Sequence, residues 1–565
     1  NGLFQNPYWT VNLNTNQDKK DRMIGFISLK YDVTEWLNLT LRSGTDLSFD
    51  RRESRFATNT CYKVTEDGAE YHLSNVKVRQ FNSDFLLNAS KNFDKLSGSI
   101  SVGGNIFKTQ NEIIGFAGYG LNEPNFFYIE NAVEQKPSYG FSEKQIQSLY
   151  AFGQIGYNNY LYLDITARND WSSTLPLENC SYFYPSASVS FIATEAFDLD
   201  MIKADFLKLR ASWAQVGNDT DPYRLENAYI MNLGYNGQPF AYINPTLAIY
   251  DLKPEITTSY EFGIDGRFVN NRFGIDLTYY SAATKNQILK AQVTATTGHL
   301  YKMINAGRIE NKGVELMFRA TPVKLSSGFQ WDISFNYSKN TSEVAELYEG
   351  VELLTLHDQN YQSAPIEIVA QVGRPYGDIL GYKYLRDESG NRVINENGLP
   401  MMMTDDNGKP LLELVGNYQP DWLGGISNTF SYKNISLRFL IDIRQGGDIF
   451  SFTQVEAARF GNTKETLEGR EEWIAEETAR KEAEVSPIKW YYGNHGGGYV
   501  SEGVTEDGSV NEKYINPQNY WAYIAAGKNA ITEEFIYDGS YIKLRELSIS
   551  YSLPRSVLDK TPFRR

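Results

Sequence analysis

A transmembrane antiparallel β-barrel, all-β and free of membrane-crossing helices, is the fold class this sequence predicts. Three observations predict it: fifteen strand-like segments, connectors alternating strictly between very short and long, and apolar residues alternating with polar ones inside the segments. Strands that meander with tight turns at one end and large loops at the other describe an outer-membrane barrel, with periplasmic turns and extracellular loops. Many segments pass ten residues. Strands of soluble sheets average about five or six, whereas a tilted strand needs about 9 to 11 to cross a bilayer.

Taken in order, the first segment, residues 23–31, leads into a tight turn at 32–35. In the next, 36–50, Leu37, Leu39, Leu41, Leu47 and Phe49 share one face, and Asn38, Thr40, Arg42, Asp46, Ser48 and Asp50 share the other. One face suits lipid and the other suits water. A long connector at 51–77 is followed by a turn at 93–97, a connector at 110–145 and a turn at Asn158-Asn159. Leu161, Leu163, Ile165 and Ala167 then oppose Asp164, Thr166 and Arg168. The connector 172–182 precedes a somewhat longer turn after Phe191, and the connector 217–256 precedes a tight turn at Asn270-Asn271. Phe273, Ile275, Leu277 and Tyr279 oppose Asp276 and Thr278, ahead of a connector at 286–306 and a turn at 322–328. After the connector 341–420 and the turn Lys433-Asn434, Ile435, Leu437, Phe439, Ile441 and Ile443 oppose Ser436, Arg438, Asp442 and Arg444. The connector 447–538 leads to the last segment, which ends at a turn opening at Pro554. Short Asn-containing turns suit hairpins. Because an Arg on the lipid face near the midplane costs about 2 to 4 kcal/mol, Arg42, Arg210 and Arg438 are expected to face the lumen.

Composition agrees with this reading. Aromatic residues make up 14% of the 565, enough to furnish girdles at both membrane interfaces. Mean hydropathy is -0.44, and no apolar run reaches the roughly 18 residues of a membrane helix. A net charge of -15 speaks against nucleic acid, whose binding surfaces need clustered Lys and Arg. The acid concentrates in the connectors, as a solvated rim would.

Catalytic and metal-binding patterns are missing. His72, His299, His357 and His495 lie in connectors or at their edges, outside any HExxH frame, and no nucleophile elbow, P-loop or dinucleotide fingerprint stands out. A non-enzyme without cofactor is expected. The runs 387–391 and 405–408 look like calcium loops but lack the alternate ligands and terminal Glu, so turn chemistry accounts for them. Cys61 and Cys180 carry no spacing signature for a disulfide.

Within the longest connector, residues 464–485 are rich in helix formers, with Glu477 and Lys481 spaced for an i,i+4 pair. Trp490, Tyr491, Tyr492 and Tyr499 then stand among glycines, where they would stack on sugar rings, clamp a peptide or fold back as the loop's own small core. Phe126, Phe127 and Tyr128 in an earlier connector have the same alternative readings. In the last segment Lys543 and Arg545 share parity with Leu547, Ile549 and Tyr551. Both cations are therefore expected on the lipid side at the extracellular end, against lipopolysaccharide.

The run Arg168-Asn169-Asp170-Trp171-Ser172-Ser173, with Tyr184-Pro185-Ser186-Ala187-Ser188-Val189, resembles the barrel of the SusC/RagA family of TonB-dependent outer-membrane transporters. So do Gly373-Arg374-Pro375-Tyr376-Gly377, Asp421-Trp422-Leu423-Gly424-Gly425 and Asp538-Gly539-Ser540-Tyr541-Ile542-Lys543-Leu544-Arg545. Lys253-Pro254-Glu255 with Glu261, and Asn305-Ala306-Gly307 with Lys312-Gly313-Val314-Glu315, resemble hairpin signatures shared more widely among TonB-dependent receptors.

The resemblance implies a barrel of about 22 strands entered from the periplasm by an N-terminal plug, of which these fifteen would be a part, five strands preceding and two following. An odd-numbered open sheet of this length would otherwise expose its edges. Residues 1–565 are thus expected to be a partial barrel domain, with 341–420 and 447–538 as long extracellular loops. Further implications are active import of oligosaccharide or peptide, a SusD-like surface lipoprotein as lid, and TonB acting on an N-terminal segment.

Overall fold

The computed structural model describes residues 5–63, 65, 67–233, 238–359, 365–482, 496–525, 530–554 and 558. Fifteen strands form one sheet in which each is hydrogen-bonded to the next in chain order. They are β1 (Thr15–Thr34), β2 (Leu37–Phe56), β3 (Glu70–Asn92), β4 (Leu96–Leu121), β5 (Ala132–Tyr157), β6 (Leu161–Ser172), β7 (Ser181–Ile192), β8 (Ala204–Asn218), β9 (Glu255–Phe268), β10 (Phe273–Lys285), β11 (Arg308–Lys324), β12 (Phe329–Glu346), β13 (Trp422–Tyr432), β14 (Ile435–Gln445) and β15 (Tyr541–Tyr551). No described helix is long and apolar enough to cross a membrane.

The chain divides into two compact units, one made of 1–196, 210–260 and 286–305, the other of 197–209, 261–285 and 306–565. In the first, β1 to β7 pair antiparallel, and the register places Leu41 between Leu29 and Phe85, and Arg42 between Ser28 and Asp84. One face is thus apolar across strands and the other polar. The tight turns form where the asparagines accept positive φ: Asn158 and Asn159 lie at 48° and 60°, as the two central residues of a turn in which the Tyr160 N–H donates to the Tyr157 carbonyl at 3.1 Å.

Strand lengths depart from expectation. β3, β4 and β5 run 23, 26 and 26 residues, well past what a membrane crossing takes. The expected connectors 51–77 and 110–145 shrink to residues 57–69 and 122–131. Beyond the bilayer both faces of a hairpin meet water, so the apolar alternation stops while the hydrogen-bond ladder continues.

In the second unit the turn expected at 322–328 tightens to 325–328, because β11 continues to Lys324. Pro322, which has no N–H to give, falls where the β11–β12 register slips between Ala320 and Val323. A second irregularity corrects the expected placement of Lys543 and Arg545. The β14–β15 ladder passes from Leu440 opposite Glu546 to Ile441 opposite Leu544, leaving Arg545 as a bulge. That extra residue reverses parity: Ile542 and Leu544 sit opposite Ile443 and Ile441, while Lys543 sits opposite Asp442. Arg545 reaches Asp442 at 3.3 Å. Neither cation extends the apolar stripe of Leu547, Ile549 and Tyr551.

Candidate functional site

The two longest connectors of the second unit fold into one another. Residues 347–421 build a four-stranded sheet from Leu353–Gln359, Ile366–Gln371, Asp378–Tyr382 and Leu412–Asn417. Residues 446–540 contribute the helices Phe452–Arg459, Arg470–Glu482 and Pro517–Ile524. The Tyr382 N–H donates to Thr532 Oγ1 at 2.7 Å, and the Tyr384 N–H to Glu533 at 2.9 Å. Arg386 and Arg392 pair with Glu533 and Glu534 at 2.9 and 3.0 Å. Gly381 permits this approach, since a Cβ there would strike Thr532. Beneath lies a hydrophobic core containing Tyr384, Val455, Ile515, Tyr520, Ile524 and Phe535. Burial pushes the Tyr384 hydroxyl well above its ordinary pKa, so it stays a neutral donor to Glu534 at 2.9 Å.

Three tight hairpins close in chain order at Arg386–Arg392, Ile394–Pro400 and Thr404–Pro410. Each opens on an Asx side chain and turns on a glycine of positive φ, Gly390, Gly398 or Gly408. Asp387 Oδ1 accepts the N–H groups of Ser389 and Asn391 at 2.9 and 2.8 Å, and Asp405 Oδ1 those of Asn407 and Lys409, both at 2.9 Å. The Asn391 side chain and these N–H groups hold the Asp387 carboxyl below its usual range. These carboxylates serve turn geometry. Among the described residues no three His, Cys, Asp or Glu side chains are grouped to hold a metal ion.

A cavity of about 830 Å³ opens beside the three helices, with Phe460, Trp473, Ile474 and Trp521 among its apolar lining and Arg459 and Lys481 among its cations. The Trp521 indole nitrogen is buried without a hydrogen-bond partner among the described residues. Glu477 pairs with Arg480, three residues on, at 2.8 Å, so the expected partner Lys481 is not the one it takes. Tyr499 packs its ring 4.3 Å from that of Tyr520, inside this body. Trp490, Tyr491 and Tyr492 lie outside the described residues. The lining aromatics Phe460, Trp473 and Trp521 escaped sequence reading because they are separated by up to 61 positions and share no motif.

In the first unit, Phe126 and Tyr128 are exposed at the tip between β4 and β5, with ring centroids 6.2 Å apart. Phe127 turns inward against Tyr71 at 6.2 Å, under Arg55. Residues of the run 168–173 tie β5, β6 and the end of β8 together: Arg168 holds Asp170 at 2.8 Å and Ser148 at 2.9 Å, while Asp219, just past β8, accepts from Thr174 at 3.1 Å and from Ser172 and Lys144 more closely. Arg42 pairs with Asp84 at 3.0 Å across β2 and β3. Arg210, on β8, alternates along the strand with Lys208 and Ser212, and in the second unit Arg438 sits 3.9 Å from Glu546. Cys61 and Cys180 are free thiols.

Comparison with known proteins bears on this architecture. A family model described as TonB dependent receptor-like, beta-barrel matches residues 1–365. TonB-dependent receptor P3 of Formosa agariphila is 24% identical over 581 residues, covering 99% of this chain and 54% of that protein. SusC of Bacteroides thetaiotaomicron is 28% identical over 309 residues, covering 51% of this chain and 30% of that protein. Among solved structures, the RagAB peptide transporter superposes with a TM-score of 0.74 at 16% identity, covering 98% of this chain and 57% of that one. The chain therefore spans about half the length of the relatives it matches.

Proposed function

Because this chain belongs to the TonB-dependent receptor-like β-barrel family of the outer membrane, whose members are transporters and not enzymes, we propose that the whole protein imports oligosaccharides or peptides actively. The observation that carries this reading is an asymmetry between the two ends of the strands. Turns at one end span a few residues, whereas connectors at the other reach 75 and 95 residues, counted from 347–421 and 446–540, and fold into a body with its own core. Apparatus of that size suits holding a mobile lid and walling a substrate chamber.

In this reading the long connectors, with Cys61 and Cys180, stand outside the cell. A SusD-like surface lipoprotein closes over them, and TonB acts through an N-terminal segment that precedes the barrel. Arg42, Arg210 and Arg438 face the lumen, where Asp84 and Glu546 share the water-filled side with two of them. Tyr499 supports substrate contacts from within the loop body, and the exposed rings of Phe126 and Tyr128 offer stacking surfaces.

The test is native mass spectrometry of the intact protein extracted from its own membrane in mild detergent. The expected result is a chain much longer than 565 residues, bound to a lipoprotein of comparable size and carrying glycan or peptide as residual mass. A lone barrel without plug or partner would replace this reading with a passive porin.

A further inference from the structure

The apolar face of β2, β3 and β4 ends in a band of cations. On β2 the stripe runs from Leu37 to Phe49 and the next position on that face is Arg51; on β3 it ends at Phe81, followed by Arg79 and Lys77; on β4 it ends at Ile106, followed by Lys108. The register confirms a common face, with Phe49 opposite Lys77, Leu47 opposite Arg79 and Phe81 opposite Lys108. The limit of the stripe also moves steadily through the ladder. Phe81 lies opposite Thr45, four residues short of Phe49, and Ile106 lies opposite Ser83, two short of Phe81. Such stepping is what one membrane level makes on tilted, staggered strands. From Leu37 to Phe49 there are twelve steps of about 3.4 Å, which at a tilt of about 40° rise roughly 30 Å, close to the height of an apolar belt.

At the upper edge of the stripe, Phe49 and Phe81 are both 48% exposed, as girdle aromatics are. Lys77 stands 5.7 Å from the Phe49 ring centroid. Two carboxylates answer the four cations: Glu112 lies 3.9 Å from Lys77, and Glu143 2.8 Å from Lys108. One step further out, Arg55 and Glu53 neutralise each other at 2.6 Å. Arg51 and Arg79 are exposed and make no ion pair among the described residues. A chain of net charge -15 thus places unbalanced guanidinium groups directly above its apolar belt.

We infer that Arg51, Lys77, Arg79 and Lys108 form a binding surface for the phosphate groups of an acylated glycolipid in the outer leaflet, its acyl chains lying on the stripe below. Arginine supplies paired donors that match phosphate oxygens. The inference rests on the barrel reading, which fixes the apolar face toward lipid. It replaces Lys543 and Arg545, which the bulge turns away.

The experiment compares the intact protein with its R51Q/R79Q/K108Q variant in detergent micelles containing lipopolysaccharide or the same lipid stripped of its phosphates, and measures retained glycolipid by native mass spectrometry. Interfacial cations each contribute severalfold to anionic-lipid affinity, so the variant should retain at least about tenfold less of the phosphorylated lipid. R51K/R79K, which keeps the charge and loses the paired donors, should retain less than wild type and more than the triple variant, and wild type should retain little of the stripped lipid. Equal retention by wild type and the triple variant, or indifference to the phosphates, would overturn the inference. Unheated gel mobility is read alongside: a folded barrel migrates faster than the boiled chain in every variant, and loss of that difference in wild type would strike the barrel reading itself.

Discussion

The β2–β5 hairpins and the interlocked connectors of 347–540 extend beyond the turns in opposite ways. The hairpins lengthen by adding rungs of backbone hydrogen bonds, up to 26 residues, with most side chains half-buried or exposed and only scattered ones, such as Ser101 and Ser148, buried. The connectors instead fold on a core where Tyr384, Ile524 and Val455 are 1%, 0% and 0% exposed. A ladder needs no apolar core to persist, whereas the connector body stands or falls by packing. Damage to the connectors should therefore stay local, and damage to the strands should depend on the face it strikes.

The largest expected effect comes from emptying the connector core. Tyr520→Ala should cost about 3 to 5 kcal/mol, by analogy with aromatic truncations in other cores. Limited proteolysis should then cut within 347–540 while the unheated barrel band survives. Loss of both together would erase the contrast. Next, Leu41→Arg should cost about 2 to 4 kcal/mol, while Thr40→Arg on the opposite face should be tolerated. Denaturant midpoints in lipid vesicles check this pair, and equal costs would mean that the two faces are not distinguished by lipid.

A smaller effect sharpens the account of β15. Deleting Arg545 removes one bulge residue yet keeps every remaining pair on its present face, so stability should change by less than about 1 kcal/mol. Deleting Ser548 leaves the bulge and displaces one side of the ladder by a residue, so refolding yield in vesicles should fall well below that of the Arg545 deletion. The smallest effect is a pH dependence of the tight hairpins. Asp387 is held below its ordinary pKa by Asn391 and neighbouring N–H groups, and so is Asp507, in a further tight turn bridged from Val504 to Val510, by Thr505 and Ser509. Their contribution is fully present above the ordinary aspartate value of about 3.9 and is lost as pH falls through the depressed values. Proteolytic protection of these turns should fade only in that acid range, and the Asp387→Asn variant should flatten the dependence.

Strand number, the Asn turns and the two faces of β2 were legible because a membrane imposes period-2 alternation and one kind of short turn. The lengths of β3 to β5 were not, since charged pairs such as Lys77 and Glu112 read as loop once water meets both faces. Bulges at Pro322 and Arg545 leave no mark on alternation until a partner strand fixes the register. In the connectors, the helix 470–482 showed in its composition. The meeting of Tyr382 with Thr532, 150 positions apart, depends on tertiary packing that no local pattern carries.

The energised import proposed for the whole protein is tested most directly by whole-cell uptake of the glycan or peptide that copurifies with it. Uptake should stop when the inner-membrane proton gradient is collapsed and should resume when the gradient returns. Uptake that continues at the same rate without the gradient would contradict the account and identify a passive pore.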